Sequence, residues 1–186
     1  MTDTIATWQT EHLNFARLLD LLEEQLDELH TGTDPNYELM LDIMFYMTHY
    51  PDLLHHPRED VALEIVRKRQ PGTGPLVDEL MRQHAYIKQC GEELVADVDS
   101  IVNGSILSRE QVEMPGRKYI EHFRKHMESE ENEVLPLFAK HLHASDWSTI
   151  NATVKHHNDP LFGGGEEERY ATLRQEIAKQ ALRPPR

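Results

Sequence analysis

The sequence predicts an all-α protein: an up-down-up-down four-helix bundle with a short C-terminal helical extension. Three observations predict it. Apolar residues recur every three or four positions along four long stretches, the period of one helix face. No segment alternates apolar and polar residues as a half-buried strand does. The breaks between stretches are short and rich in Gly, Pro and Asn, and short connections favour antiparallel neighbours in a bundle.

The first stripe is Ile5, Trp8, His12, Phe15, Leu19, Leu22, Leu26 and Leu29, so a helix is expected over roughly 4–30, with Gly32 at its C-cap. Asp34-Pro35 reads as N-cap plus N1 proline of the second helix. That helix carries Leu39, Ile43, Tyr46, Met47 and Tyr50 and continues toward Arg69. Pro51 and Pro57 must bend or interrupt it. After the loop Gln70-Pro71-Gly72-Thr73-Gly74-Pro75, a third helix carries Val77, Leu80, His84, Ile87, Leu94, Val98 and Ile101 and stops at Asn103-Gly104. Ser108-Arg109-Glu110-Gln111 is a capping box that opens the fourth helix, which runs toward His143 with Pro136 near its end. Ser145 can cap a short segment to about Lys155. Asp159-Pro160 and Gly163-Gly164-Gly165 mark a loop, and a last helix covers about 166–181.

At 186 residues the chain can build one substantial core and falls short of two comfortable domains. Residues 1–143 are expected to form the bundle, and 144–186 a helical tail packed on it. A formal net charge of −14 would repel nucleic acid and anionic membranes, so neither is expected as a partner. The single cysteine, Cys90, excludes an internal disulfide framework and any thiolate metal cage. No apolar run approaches the roughly 20 residues that span a bilayer, and Met1-Thr2-Asp3-Thr4-Ile5 lacks the regions of a signal peptide. A cytoplasmic location is expected. The unusual feature is histidine: 12 residues, against five Phe and six Tyr.

His12 and His84 lie on the apolar stripes of the first and third helices. On the fourth, His126 and Glu130 are four apart and share a face with Tyr119, Phe123, Val134 and Leu137, so the pair points inward. The second helix offers His55 with Glu59 and His56 with Asp60. The line through 55, 59, 62 and 66 continues as Ala62 and Val66. The line through 56, 60, 64 and 67 continues as Glu64 and Arg67, a solvated face. His55 and Glu59 are therefore the inward pair, and His56 is expected to be exposed, provided Pro57 leaves the helical phase intact. His12 to His55 is 43 positions and His84 to His126 is 42, so a lone His followed by His-x-x-x-Glu occurs twice. In a bundle the two units can meet at one level, bringing four imidazoles and two carboxylates together.

A lone core histidine is ordinarily bonded to a carbonyl, and an isolated His-x-x-x-Glu is ordinarily a surface pair. Inward carboxylates differ, because an unpaired buried carboxylate costs several kcal/mol against a net stability of about 5–15 kcal/mol. Protonated imidazoles could balance them at a heavy desolvation cost; cations balance them fully. Imidazole plus carboxylate suits Fe, Mn, Co or Zn, and six ligands exceed one tetrahedral zinc, which points to two ions with open positions for a small diatomic molecule or peroxide.

Glu11-His12, His55-His56-Pro57-Arg58-Glu59-Asp60, Gln83-His84 and His126-Met127-Glu128-Ser129-Glu130-Glu131 running into Val134-Leu135-Pro136 resemble the hemerythrin-like (HHE cation-binding) family over roughly 5–142. Asp159-Pro160-Leu161-Phe162-Gly163 resembles a tail found in bacterial members. The resemblance implies a four-helix bundle holding two iron ions (Fe2+/Fe3+) with an oxo or hydroxo bridge, ligated by His12, His55, Glu59, His84, His126 and Glu130. It implies a protein that binds or reacts with O2, peroxide or NO, in sensing, scavenging or iron handling. The invertebrate oxygen carriers of the family have His-x-x-x-His on the third helix, where this chain has His84 followed by Lys88. They also use Asp where it has Glu130. One imidazole fewer implies a more open site, better suited to oxidation chemistry, NO or oxygen sensing, or iron handling than to reversible oxygen carriage. The alternative is a structural or interaction bundle with a zinc-filled or vestigial site. His122 is expected in a supporting or surface position, His49 in packing, His30, His141 and His143 near helix C-termini, and Glu131, Glu133 and Glu166-Glu167-Glu168 as solvated charge.

Overall fold

A computed structural model describes residues 2–155, 157–164 and 168–182. Among these residues there are helices and no strands. Helix α1 spans Thr2–Thr31, α2 Tyr37–Tyr50 and α3 His56–Arg69, with one π-helical turn, Pro51–His55, joining α2 to α3. Helix α4 spans Gly74–Val102 and α5 Arg109–Ser129. A second π-turn, Glu130–Val134, leads into α6, Leu135–His141. Helices α7 (Ala144–Thr153) and α8 (Ala171–Ala181) follow. Helix α1 packs on α5, α5 on α4, α4 on α2 and α2 on α1, which closes a ring. In the tail, α7 lies on α3, and α8 on α1 and α2.

The capping signals explain where the long helices stop. Gly32 (φ 87°) and Gly104 (φ 93°) adopt left-handed backbone after α1 and α4. Each donates to the carbonyl three residues back, and the following residue to that five back: Gly32 to Leu29, Thr33 to Glu28, Gly104 to Ile101, Ser105 to Ser100. This is the Schellman closure, which needs φ > 0 at the glycine. Ser108 and Gln111 form the expected capping box. Two starts differ from expectation. Asn36 rather than Asp34 caps α2, because its side chain reaches the Leu39 N–H while its own N–H goes to Gln25. His143 rather than Ser145 caps α7, with Asp146 returning the bond, so His143 serves a helix start and not an end.

The chain stays helical through both proline regions by widening. A proline ring collides with the carbonyl four residues back and leaves it without a donor. For Pro57 that carbonyl belongs to Leu53 and for Pro136 to Asn132, each inside a π-turn that ends two residues before the proline. The i→i+5 bonds His56 to Pro51 and Leu135 to Glu130 hold the wide turns. After the second turn the inward face passes to Val134, Leu135 and Phe138, and Leu137 is only partly buried.

Apolar burial separates into two clusters. One runs from Phe15, Leu19 and Leu22 through Tyr46, Tyr119 and Phe123 to Leu173. The other gathers Trp8, Val66, Leu80, Val134, Phe138 and Trp147. His12 lies between Trp8 and Phe15, so a polar layer is sealed on both sides. Gly91 marks a close approach: a Cβ there would lie 2.9 Å from Thr48 Cγ2 and 3.2 Å from the Tyr119 ring. Thr48 cannot rotate freely, because its hydroxyl donates to the Met44 carbonyl. At Gly116 the nearest atoms a Cβ would meet belong to the flexible end of Leu26, its methyls at 2.8 and 3.0 Å.

Gly91→Ala is therefore expected to lower stability in urea unfolding by about 1 kcal/mol net, since overpacking outweighs the gain in helix propensity. Gly116→Ala should change it by less than about 0.5 kcal/mol. A second expectation concerns α7. Arg69 donates to both Asp146 oxygens (2.5 and 2.7 Å) and to the His141 carbonyl (2.6 Å). The Arg69 hydrogen bond holds the Asp146 carboxyl below the usual carboxylate range. A depressed carboxylate stabilises the fold above its unfolded pKa of about 4 and loses that contribution as pH falls. Near-ultraviolet circular dichroism of the Trp8–Trp147 pair, whose rings lie 5.5 Å apart, should weaken on acidification before far-ultraviolet helicity falls. Arg69→Met should weaken it already at neutral pH.

Candidate metal centre

The polar layer is built by four helices and the two π-turns. Helix α1 contributes His12, the first π-turn His55, α3 His56 and Glu59, α4 His84, α5 His126, and the second π-turn Glu130. All seven are buried; none exceeds 6% exposure. The six residues expected from the sequence thus converge. His12 Nε2 is 3.1 Å from His55 Nε2, 3.3 Å from Glu130 Oε2 and 3.9 Å from Glu59 Oε1. His55 Nε2 is 3.2 Å from Glu59 Oε1, and His126 Nε2 is 3.2 Å from Glu130 Oε2. His84 Nε2 lies 3.4 Å from Glu130 Oε1 and 3.8 Å from Glu59 Oε2.

His56 corrects the sequence reading, which placed it on the solvated line. It is 3% exposed and stacks on His84 with ring centres 4.4 Å apart. The π-turn holds one residue more than an α-turn, so His55 and His56 both reach the interior. The fifth imidazole therefore comes from α3, although His84 is followed by Lys88, and the expectation of a four-imidazole, more open site does not hold. The consecutive histidines ahead of Pro57 were the available signal: a ring at 57 must displace the Leu53 carbonyl and break the 3.6-residue phase.

Each imidazole turns its Nδ1 outward to an oxygen. His12 Nδ1 meets Glu131 at 2.8 Å, His55 meets Glu11 at 2.5 Å, His84 meets Asp60 at 2.7 Å and His126 meets the Gln83 amide oxygen at 3.1 Å. His56 Nδ1 lies 3.2 Å from Asp52 Oδ1. Assigned as Nδ1–H donors, the rings keep their Nε2 lone pairs for the interior, as outer carboxylates do for metal-binding histidines. Glu11 is itself fixed by the Tyr50 hydroxyl (2.8 Å) and Arg58 (3.2 Å). Asp60 and Glu131, read from the sequence as solvated charge, are partly exposed, and each gives an oxygen to this shell.

Charge is poorly balanced by the side chains alone. Burial and the Glu130 charge push the Glu59 carboxyl up, whereas Glu130 is held down, against burial, by His126, His12 and His84. Burial opposes protonation of His55 and His84, but Glu59 with Glu11, and Asp60 with Glu130, raise them to about 10. Burial lowers His126 to about 3 and His56 well below the usual range. Both oxygens of Glu59, Oε2 of Glu130 and Nε2 of His126 are buried with no hydrogen-bond partner. Such orphans are rare in folded proteins, and a set of anionic oxygens beside imidazole lone pairs fits a cation. Two groups of four can each hold one ion: His12, His55, Glu59 and Glu130, and His56, Glu59, His84 and His126.

Other histidines stand apart. His49 is exposed, stacks on Phe45 and bonds its carbonyl. His122 packs edge-on against Tyr86 in a surface cleft. His156 and Glu166-Glu167 lie outside the described residues.

Among the described residues no helix is long and apolar enough to cross a membrane. Comparison with curated proteins finds no match, and comparison with solved structures finds none. A family model described as the hemerythrin HHE cation binding domain matches residues 3–138, a span that contains all seven converging side chains. With an all-helical fold and buried His/Glu groups able to hold metal, the chain belongs to the hemerythrin HHE cation-binding domain family.

Proposed function

We propose that this protein holds two iron ions in the sealed layer and binds or reacts with a small oxidant or diatomic ligand: O2, peroxide or NO. The ring of packing among α1, α2, α4 and α5 supports an up-down-up-down four-helix arrangement around the site. The carrying observation is the convergence of five imidazoles on two carboxylates whose buried oxygens lack partners. His12, His55 and Glu130 would hold one ion, and His56, His84 and His126 the other. Glu59, common to both groups, would span them, with an oxo or hydroxo bridge completing the pair. Glu130 presents Oε1 to His84 and Oε2 to His12 and His126, so it too can serve both ions.

The donor set favours a borderline cation: no thiolate, five nitrogen donors and two carboxylates. Five imidazoles and two carboxylates would hold two such ions without supplying every coordination position, which would leave room for an outside ligand. Bound iron would supply the redox and Lewis-acid chemistry toward that ligand. The chain's own part is to exclude water, with Trp8 and Phe15 on either side of His12, and to keep each Nε2 aimed inward through its Nδ1 partner. A five-imidazole site removes the reason to set oxygen carriage apart from oxidant chemistry, so all three small ligands stay within the proposal.

Expression in iron-replete medium should give about two irons per chain and near-ultraviolet charge-transfer absorption. Both should fall in Glu130→Gln and in His56→Ala. Chelation should lower the melting temperature, since an ion bound only to the folded state at a thousand times its Kd stabilises by about 4 kcal/mol. A chain that carries zinc or no metal, and whose melting is indifferent to chelation, would instead be the structural bundle. Glu59→Gln should abolish loading, read as metal content near zero in a chain that keeps its far-ultraviolet helicity.

A further inference from the structure

The ligand side chains are sealed, so an ion must reach them by a defined route. A surface cleft of about 230 Å3 between α3 and α4 is lined by two of the seven, His56 and His84. Asp52, Asp60, Met81 and Lys88 also line it. A larger cleft of about 640 Å3 between α4 and α5 reaches Gln83 and Lys125 but none of the seven. A third, beside the tail, reaches Glu11 and Asp159.

The α3–α4 cleft is built for a cation. The Asp52 side chain is 1% exposed; its Oδ1 faces His56 Nδ1 at 3.2 Å, and its Oδ2 is buried with no hydrogen-bond partner. An orphaned buried carboxylate gains most from a positive ligand. Asp60 offers a second carboxylate at the cleft, half exposed, with Oδ1 on His84 Nδ1. The two acids stand at the outer edges of the stacked His56 and His84 rings, whose opposite edges face the interior. A neutral diatomic molecule would gain nothing from this lining, whereas a hydrated cation can exchange waters for carboxylate oxygens one at a time. Lys88, exposed one turn beyond His84, supplies a positive charge at the rim. We infer that this cleft is the port through which divalent cations reach the paired site, with Asp52 and Asp60 as the transit ligands and Lys88 setting the local field. The inference rests on the two-ion reading.

Loading of the metal-stripped full chain with Co2+, followed by visible absorption in a stopped-flow instrument, tests it. Lys88→Glu and Lys125→Glu alter net charge equally, and Lys125 lies in the other cleft. The port requires Lys88→Glu to load on the order of three- to tenfold faster than Lys125→Glu at low ionic strength, with the advantage shrinking in high salt. Asp52→Asn should slow the initial rate several-fold. Equal rates for the two lysine variants, or a parental initial rate in Asp52→Asn, would overturn the port while final cobalt content of about two per chain left the two-ion site standing. No bound cobalt in any variant would remove both.

Discussion

Two carboxylates in a dry layer are the constraint on which the rest of the structure depends. Glu59 and Glu130 sit between two apolar clusters, with three of their four oxygens unpartnered. Removing an ion from water is so costly that a fold keeps such groups only with compensation close by. The compensation is visible in the surroundings. Five imidazoles approach the pair, and three of them, His12, His55 and His84, are biased toward carrying protons by the same acids. Protons and cations compete for the same lone pairs, so a site that recruits protons this strongly is also organised to accept a metal ion in their place.

The π-turns convert this electrostatic requirement into geometry. A regular helix presents one residue per turn along a narrow line, and His55 and His56 would diverge by about 100°. Widening the backbone at Pro51–His55 brings both inside. At Glu130–Val134 it lets Glu130 point inward while its neighbour Glu131 reaches His12. Pro57 and Pro136 stand at the same distance beyond their respective turns. In each case the ring excludes the ordinary i→i+4 pattern at the residues that need to depart from it. Proline here does not end a helix; it fixes where the helix widens.

This locates the boundary of what the sequence reveals. The 3.6-residue period made the stripes of α1 and α4 readable, and with them His12 and His84, because both helices are regular over their full length. The repeated His-x-x-x-Glu made Glu59 and Glu130 readable, since each pair spans a single turn. His56 was hidden because its position depends on a backbone deformation that no side-chain period encodes. Asp60 and Glu131 were hidden for a different reason. Partly exposed acids look like solvated charge in any periodic reading, and only the direction of one oxygen distinguishes them. Cap positions moved by two residues at Asn36 and His143, where Asn36 reaches the Leu39 N–H and Asp146 accepts from the His143 N–H.

The C-terminal tail lies beyond the matched family span, yet it is tied to the site. Glu11, which fixes His55, accepts from Tyr50. Tyr50 stacks on Tyr46 at 5.5 Å, and the Tyr46 hydroxyl donates to Asp159 at 2.8 Å. Asp159 in turn accepts from the backbone of Leu161 and Phe162, so its loop is closed around the contact. A buried histidine shell is useful only while its outer partners stay fixed, because each Nδ1 bond sets the aim of the opposite nitrogen. Arg58 anchors Glu11 from α3, and the tyrosine pair anchors it from α2 and the tail. Among the described residues the tail is thus connected to His55 through Asp159, Tyr46, Tyr50 and Glu11.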